Sequence, residues 1–498
     1  MLSSVATSSR KGFHGRDRHQ VTTMNGGFAM PSALSLTQLT DAVDRGNMKP
    51  IDVRQMDAWN GWSLQSEARG GHIPGAVSLP ARWLEELDGR RIVSWLAKRD
   101  VTPSGDVAVY GHGRQDAASV AQKLEALGYD AVRVFEGGYS AWAADPERPV
   151  DRMKRFHKLV PEQWLAQLLA GGTAERHDGR RHMVAHVSFD NRDDYDEGHI
   201  PGSLYLDTLL LERPEDWNRR APAELEKAVL GLGITYDTTV VLYGRTGSPT
   251  MKMKQPGRHA GQIAAMRAAW LLRYVGVADV RVLNGGLASW ERAGREVSTE
   301  ETPPTPVSGF GRKIPARPDL IVTTPEARDL LSSRKGDLVS MRSWEEFIGE
   351  TSGYHYVGPQ GRIPGAVFGN CGSDAYHMEN YRNHDQTMRP YHEIAAMWEE
   401  AELLRTKRVA FYCGTGWRAS EAAFYAYLMG WERAAVYDDG WFGWSSDVEN
   451  PIASGVPDGY EGRERPEGAL RADPLSEQSR GRIIEGPRSD RPPDDCVG

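Results

Sequence analysis

One short segment of the chain stands out as able to do covalent chemistry: Cys413-Gly414-Thr415-Gly416-Trp417-Arg418. It follows the apolar, strand-like run Val409-Ala410-Phe411-Tyr412 and leads into an alanine-rich helical stretch. A loop that leaves a strand for a helix turns its backbone N–H groups toward its own centre. There they and the helix N-terminus stabilise negative charge, so a cysteine at that centre can react as the nucleophilic thiolate. Gly414 and Gly416 let the backbone curl closely around the sulfur. A cysteine placed only for packing would not need these flanking glycines, threonine and arginine. Residues 353–362 add Tyr354 and Tyr356, each able to stack or to donate a proton, with lid packing as the alternative. Trp417 sits within the loop. Trp441 and Phe442 follow the last strand, on the edge where α/β proteins bind ligands. Arg418 and Arg342 are candidates to grip a carboxylate. Cys371 reads either as a small residue near a sheet edge or as a resolving thiol, and Cys496 as incidental.

The elements that position this loop occur three times. Each unit opens with a helix-entry phrase and a short apolar strand: Ile51-Asp52-Val53-Arg54, Val184-Ala185-His186-Val187-Ser188, Leu338-Val339-Ser340-Met341-Arg342. An Ile-Pro-Gly turn follows at Ile73, Ile200 and Ile363, then a strand ending in Tyr110, Tyr243 or Tyr412. The units close on Trp142, Trp290 and Trp444. Strands alternating with helices predict an α/β fold with mostly parallel sheets. The expected organisation is an N-terminal disordered arm at 1–31, domains at 32–148, 157–297 and 318–450, and a largely disordered tail at 451–498. The repeats serve as an internal control. Where the third unit has Cys413, the first two have Gly111 and Gly244. Trp444 has counterparts in the units without cysteine, which marks it as core. Trp441 corresponds to Tyr139 and Leu287, and Arg342 to Arg54, so packing and a structural ion pair are the alternatives for those two.

These phrases together resemble the rhodanese family of sulfurtransferases over nearly the whole chain between its ends. The resemblance implies three tandem rhodanese-like domains, the first two inactive and the third carrying a persulfide on Cys413. Four residues separate Cys413 from Arg418; the related phosphatase loop has five, and the shorter ring suits sulfane sulfur. With Tyr354 ahead of the turn and Thr415 in the loop, the third unit resembles the anaerobic ergothioneine-forming persulfide sulfurtransferases. That branch implies sulfur transfer from polysulfide to the imidazole carbon of hercynine. Cys413, Tyr354 and Thr415 would be catalytic. Gly414, Gly416, Trp417, Arg418, Arg342, Tyr356, Trp441 and Phe442 would bind substrate. No metal or organic cofactor beyond the cysteine persulfide is implied. One alternative is a thiosulfate or 3-mercaptopyruvate sulfurtransferase acting on cyanide or thiols, and Gly414, where many thiosulfate-using loops carry arginine, leans to the mercaptopyruvate side. The other is a non-catalytic sulfur-carrier or docking module.

Composition agrees with a small-molecule role. The formal net charge of −8 over 498 residues offers no dominant basic surface for nucleic acid. No run of about 18 apolar residues exists to form a membrane helix. Three cysteines make no disulfide framework and no Cys-x-x-Cys pair, which points to a reduced, cytoplasmic setting. The expected partners are a small-molecule sulfur donor and acceptor, with a homodimer as the possible assembly. The stretch 249–260, with its Met-Lys-Met-Lys run, reads as a lid over the site or as a solvated basic loop.

Overall fold

The computed structural model describes residues 32–460 except 66, 246–260 and 334. The expected arm at 1–31, most of the expected tail and the whole 249–260 stretch lie outside the described residues. The chain builds three five-stranded sheets, each parallel throughout. The first contains β1 (Ser32–Leu34), β2 (Lys49–Asp52), β3 (Val77–Ser78), β4 (Asp106–Tyr110) and β5 (Ala131–Phe135), in the order β1-β5-β4-β2-β3. The second repeats that order with β6 (Leu159–Val160), β7 (His182–Ser188), β8 (Leu204–Asp207), β9 (Thr239–Tyr243) and β10 (Asp279–Leu283). The third uses β11 (Ile321–Val322), β12 (Gly336–Ser340), β13 (Val367–Phe368), β14 (Arg408–Tyr412) and β15 (Ala434–Tyr437). The middle strands β4, β9 and β14 are continuous apolar runs because helices cover both sheet faces. Each is followed by a long helix: α1 (Arg114–Ala126), α2 (Gly261–Val275) and α3 (Trp417–Met429).

The recurrent sequence phrases have a shared physical basis. The Tyr110 and Tyr243 hydroxyls accept the backbone N–H of Ile73 and Ile200 at 3.1 and 2.8 Å, tying the strand-ending tyrosine to its Ile-Pro-Gly turn. The closing tryptophans Trp142, Trp290 and Trp444 each donate their indole N–H to a carbonyl just beyond the unit, at Pro149, Glu296 and Pro451. The third unit also runs past 450. Ala453 bridges antiparallel to Arg362, and the Gly455 N–H reaches the Ile348 carbonyl at 2.7 Å. The first ten residues of the expected tail therefore pack on the third domain.

The first domain keeps its own apolar core, a second core runs from the second domain into the third, and a third core, which includes Tyr354 and Trp441, belongs to the third domain alone. Along the core that the second and third domains share, α2 is buried on every side, pressed between its own sheet and α3. The segment 370–390 of the third domain reaches both others. Asp385 accepts the Trp83 indole N–H at 2.8 Å and pairs with Arg82, and Arg292 donates to its backbone carbonyl at 2.8 Å. Asn284 donates to Asp57 and accepts from the Met388 N–H, both at 2.8 Å, so one amide touches three domains.

Burial pushes the Asp57 carboxyl up to about 7, helped by the nearby charges of Asp385 and Glu162 and opposed by Asn284 and Arg82. Its folded pKa lies above the unfolded one. Its stabilising contribution is therefore fully present below about pH 4 and is lost as pH rises through about 7. Asp57→Asn keeps the shape and removes the titration. Thermal melts of the wild type should fall relative to Asp57→Asn by several °C between about pH 5 and 8. A constant difference across that range would show that Asp57 does not titrate there.

Candidate active site

Cys413 lies at the C-terminal end of β14, fully buried, in the loop that enters α3. Gly416 takes φ +88° at the N-cap, a left-handed conformation that disfavours a side chain. The turn after β15 closes the loop from the other side. The Trp441 and Phe442 N–H groups donate to the Cys413 and Gly414 carbonyls at 2.8 and 3.0 Å. Tyr139 and Leu287 make the equivalent bond to Gly111 and Gly244 in the other units. Gly440, at φ +57°, has no room for a Cβ, which would stand 2.6 Å from the Gly414 carbonyl oxygen.

Tyr354 comes across this loop from the segment before the third Ile-Pro-Gly turn. A Cβ on Gly414 would fall 2.6 Å from the Tyr354 ring carbon bearing the hydroxyl, so Gly414 is the space in which that ring lies. Arg418 donates to the Tyr354 hydroxyl at 2.9 Å. Burial pushes the phenol well above its usual value; the Arg418 charge opposes the shift, and the Cys413 sulfur beside it adds to it. Tyr354 therefore holds its proton at neutral pH and can only donate it. Thr415 is 5% exposed; burial pushes the Tyr356 phenol up, and the Thr415 hydroxyl works against that shift.

Arg418 does not present a free fork to a substrate carboxylate. It is 1% exposed and makes two 3.0 Å bonds to Glu346, with a further 2.8 Å bond to the Asp374 carbonyl. Burial opposes its charge, but the Glu346 carboxylate more than offsets this and holds the guanidinium well above its usual value. Arg418 also holds the Tyr354 hydroxyl in place.

Arg342, for which a structural ion pair was the alternative, is likewise committed to partners within the fold. It bonds Glu346 at 3.1 Å and the Gly361 carbonyl at 2.6 Å, with its guanidinium 4.8 Å from the Trp441 ring centroid. Arg54 holds the matching Gly71 carbonyl in the first domain at 2.5 Å, over Tyr139. The second domain has Ser188 at this place, and Arg245 from the loop reaches the matching Gly198 carbonyl at 2.7 Å instead. An arginine clamps the entry to the turn in all three units, with or without the cysteine. Trp441 is also structural: it is fully buried and its indole N–H is spent on the Pro359 carbonyl at 3.0 Å.

Trp417 turns to the second domain, where its N–H donates to Glu212 at 3.1 Å and its ring meets Phe189 edge-on. Tyr356 and Phe442 do come together, and the second domain adds Trp217. Trp217 stacks on Tyr356 at 4.4 Å between centroids and meets Phe442 edge-on at 6.1 Å. Tyr376 meets Tyr354 edge-on at 6.0 Å. Trp217 and Glu346 are absent from the sequence-derived candidates. Trp217 lies in an irregular stretch with no pattern to flag it. Glu346 does carry a signal, the Ser343-x-x-Glu346 capping box, but such boxes usually mark exposed helix starts. Here it is fully buried between Arg342 and Arg418.

Cys371 stands near this centre, its sulfur 3.7 Å from Arg418. Burial pushes its thiol up to about 12, which disfavours the nucleophilic thiolate at neutral pH. Among the described residues no group of three or more His, Cys, Asp or Glu is placed to hold a metal ion, and no helix is long and apolar enough to cross a membrane.

Comparison with known proteins places this geometry. The family described as rhodanese-like domain matches residues 35–145, 163–293 and 323–447. The chain is similar to the anaerobic ergothioneine biosynthesis enzyme from Chlorobium limicola, solved in complex with its natural substrate trimethyl histidine. That structure is 47% identical with a TM-score of 0.83, covering 86% of this chain and 100% of that one. A tyrosine-to-phenylalanine variant of EanB, solved as a cysteine persulfide in a tetrahedral intermediate state with ergothioneine, is 46% identical with a TM-score of 0.82. It covers 86% of this chain and 100% of that one. Thiosulfate sulfurtransferase YnjE of Escherichia coli (strain K12) is 37% identical over 416 residues, which are 83% of this chain and 91% of that protein.

Proposed function

The chain belongs to the rhodanese family and is a sulfurtransferase, and from that premise we propose that Cys413 carries a persulfide whose outer sulfur passes to the imidazole carbon of hercynine, forming ergothioneine. The observation that carries this reading is the Tyr354 phenol, laid on Gly414 beside the sulfur and fixed by Arg418. Transfer of sulfur to a simple anion needs no proton donor there. Carbon–sulfur bond formation on an imidazole does, because its C–H is not acidic until the ring is activated by proton transfer at nitrogen.

Polysulfide loads Cys413 as Cys–S–SH. The ring carbon forms a bond to the outer sulfur while the S–S bond breaks, and Cys413 leaves as a thiolate received by the loop N–H groups. The ring C–H proton replaces the one that Tyr354 gives up and the outer-sulfur proton goes to Cys413, so persulfide plus C–H gives thiol plus thione with no outside oxidant. Tyr354 supplies the proton to the ring nitrogen, with Thr415 as the second hydroxyl at the loop. The aromatic faces of Trp217, Tyr356 and Phe442 suit a trimethylammonium group, each contact contributing about 0.5–2 kcal/mol.

The test is to load the protein with polysulfide and offer hercynine in one tube and cyanide in another. Ergothioneine is expected in the first; thiocyanate alone would leave a general sulfurtransferase. In the same assay Trp217→Leu should raise the KM for hercynine about tenfold and change kcat less, as loss of one cation–π face predicts.

A further inference from the structure

Arg267 lies in the middle of α2, in the second of the two domains that have no cysteine, and is fully buried. Its three nitrogens go in three directions. Nε donates to Glu212 at 2.9 Å, Nη1 pairs with Asp438 at 2.8 Å, and Nη2 donates to the Trp217 carbonyl at 2.9 Å. Arg219 completes the group, with its backbone N–H and its guanidinium both 3.0 Å from Asp438. Two carboxyls face two guanidiniums, and burial pushes the Glu212 carboxyl up to about 7 against the opposing Arg267 charge.

This network grips the Cys413 loop at several points. Asp438 belongs to the third domain and immediately precedes the turn whose N–H groups hold the Cys413 and Gly414 carbonyls. Glu212 receives the Trp417 indole N–H. A Cβ on Gly416 would stand 3.0 Å from the Arg267 Nη1, so the loop backbone rests on the guanidinium. The same side chain also fixes the backbone of Trp217, whose ring stacks on Tyr356.

A helix that only supported its neighbour would bury an apolar residue here, since a buried charge is costly and replacing such networks by apolar side chains is often neutral for stability. We propose that Arg267 is a positioning residue for the chemistry at Cys413, holding the sulfur-bearing loop and the Trp217 wall in one register. The second domain is then part of the active centre, and sulfur transfer to an organic acceptor depends on it. The acceptor part of this inference rests on the hercynine reading above; the loop part does not.

Two variants of the full-length chain separate positioning from stability. Arg267→Met leaves the network one positive charge short and should lower the thermal midpoint. Arg267→Met with Glu212→Gln removes the carboxyl left without its partner, and the glutamine still accepts from Trp417, so the midpoint should largely recover. Neither variant restores the hold on Trp217 and Gly416. Both should pass sulfur from polysulfide-loaded protein to cyanide about tenfold more slowly than wild type, and to hercynine about a hundredfold more slowly, the scale expected when reacting groups shift by about 1 Å. Recovery of both rates along with the midpoint in the double variant would overturn the proposal. If wild type yields thiocyanate but no ergothioneine, the acceptor reading falls, while the cyanide rates of the two variants still decide the role of Arg267.

Discussion

Cys413→Ala eliminates sulfur transfer to every acceptor, with a loss on the order of 10⁴-fold or more, as removal of a covalent nucleophile does elsewhere. The change deletes one buried sulfur atom between a strand and a helix, which costs little packing, so the variant should fold and melt near wild type. Intact-mass measurement after polysulfide treatment should find added sulfur on wild type and none on the variant. Cys371 cannot take over. Its thiol is pushed up to about 12 by burial, and its sulfur is closed in against Arg418. Residual turnover above about one per cent of wild type, abolished by adding Cys371→Ala, would show this assignment of the nucleophile to be wrong.

Tyr354→Phe lowers hercynine turnover by about 10²–10³-fold, the usual contribution of a positioned general acid, and slows transfer to cyanide far less. The ring stays on Gly414, and Arg418 keeps Glu346 and the Asp374 carbonyl, so only the proton donor is lost. The sign of the pH dependence follows from burial. A phenol pushed well above its ordinary value is a working donor below its own pKa, so wild-type turnover should show no basic limb from Tyr354 up to about pH 9. Equal losses with hercynine and cyanide would mean that Tyr354 shapes the loop rather than moves a proton.

Some of this was open to a reader of the sequence alone. The three α/β units with parallel sheets, and the strand–loop–helix around Cys413, follow from local rules. Apolar runs of strand length form central strands, glycines turn the backbone, and a helix N-terminus gathers N–H groups on whatever residue precedes it. Comparing the units was enough to mark Trp444 as core and to raise a structural role for Arg342. The comparison could not decide it, because the deciding fact is the Gly361 carbonyl, a partner 19 residues away that Arg245 serves from a different position in the second unit.

What the sequence determined by itself is the local geometry of the sulfur-bearing loop and the presence of hydroxyls and aromatics to serve it. Only the tertiary structure decided which of them meet. Arg418 is consumed by Glu346, Trp441 by Pro359 and Trp417 by Glu212, while Trp217 and Arg267 enter from another domain. The reason is physical. A backbone cradle is built from neighbours in the chain, whereas a buried charge or ring takes its partners from whatever surface the fold brings against it, and sequence spacing carries no record of that surface.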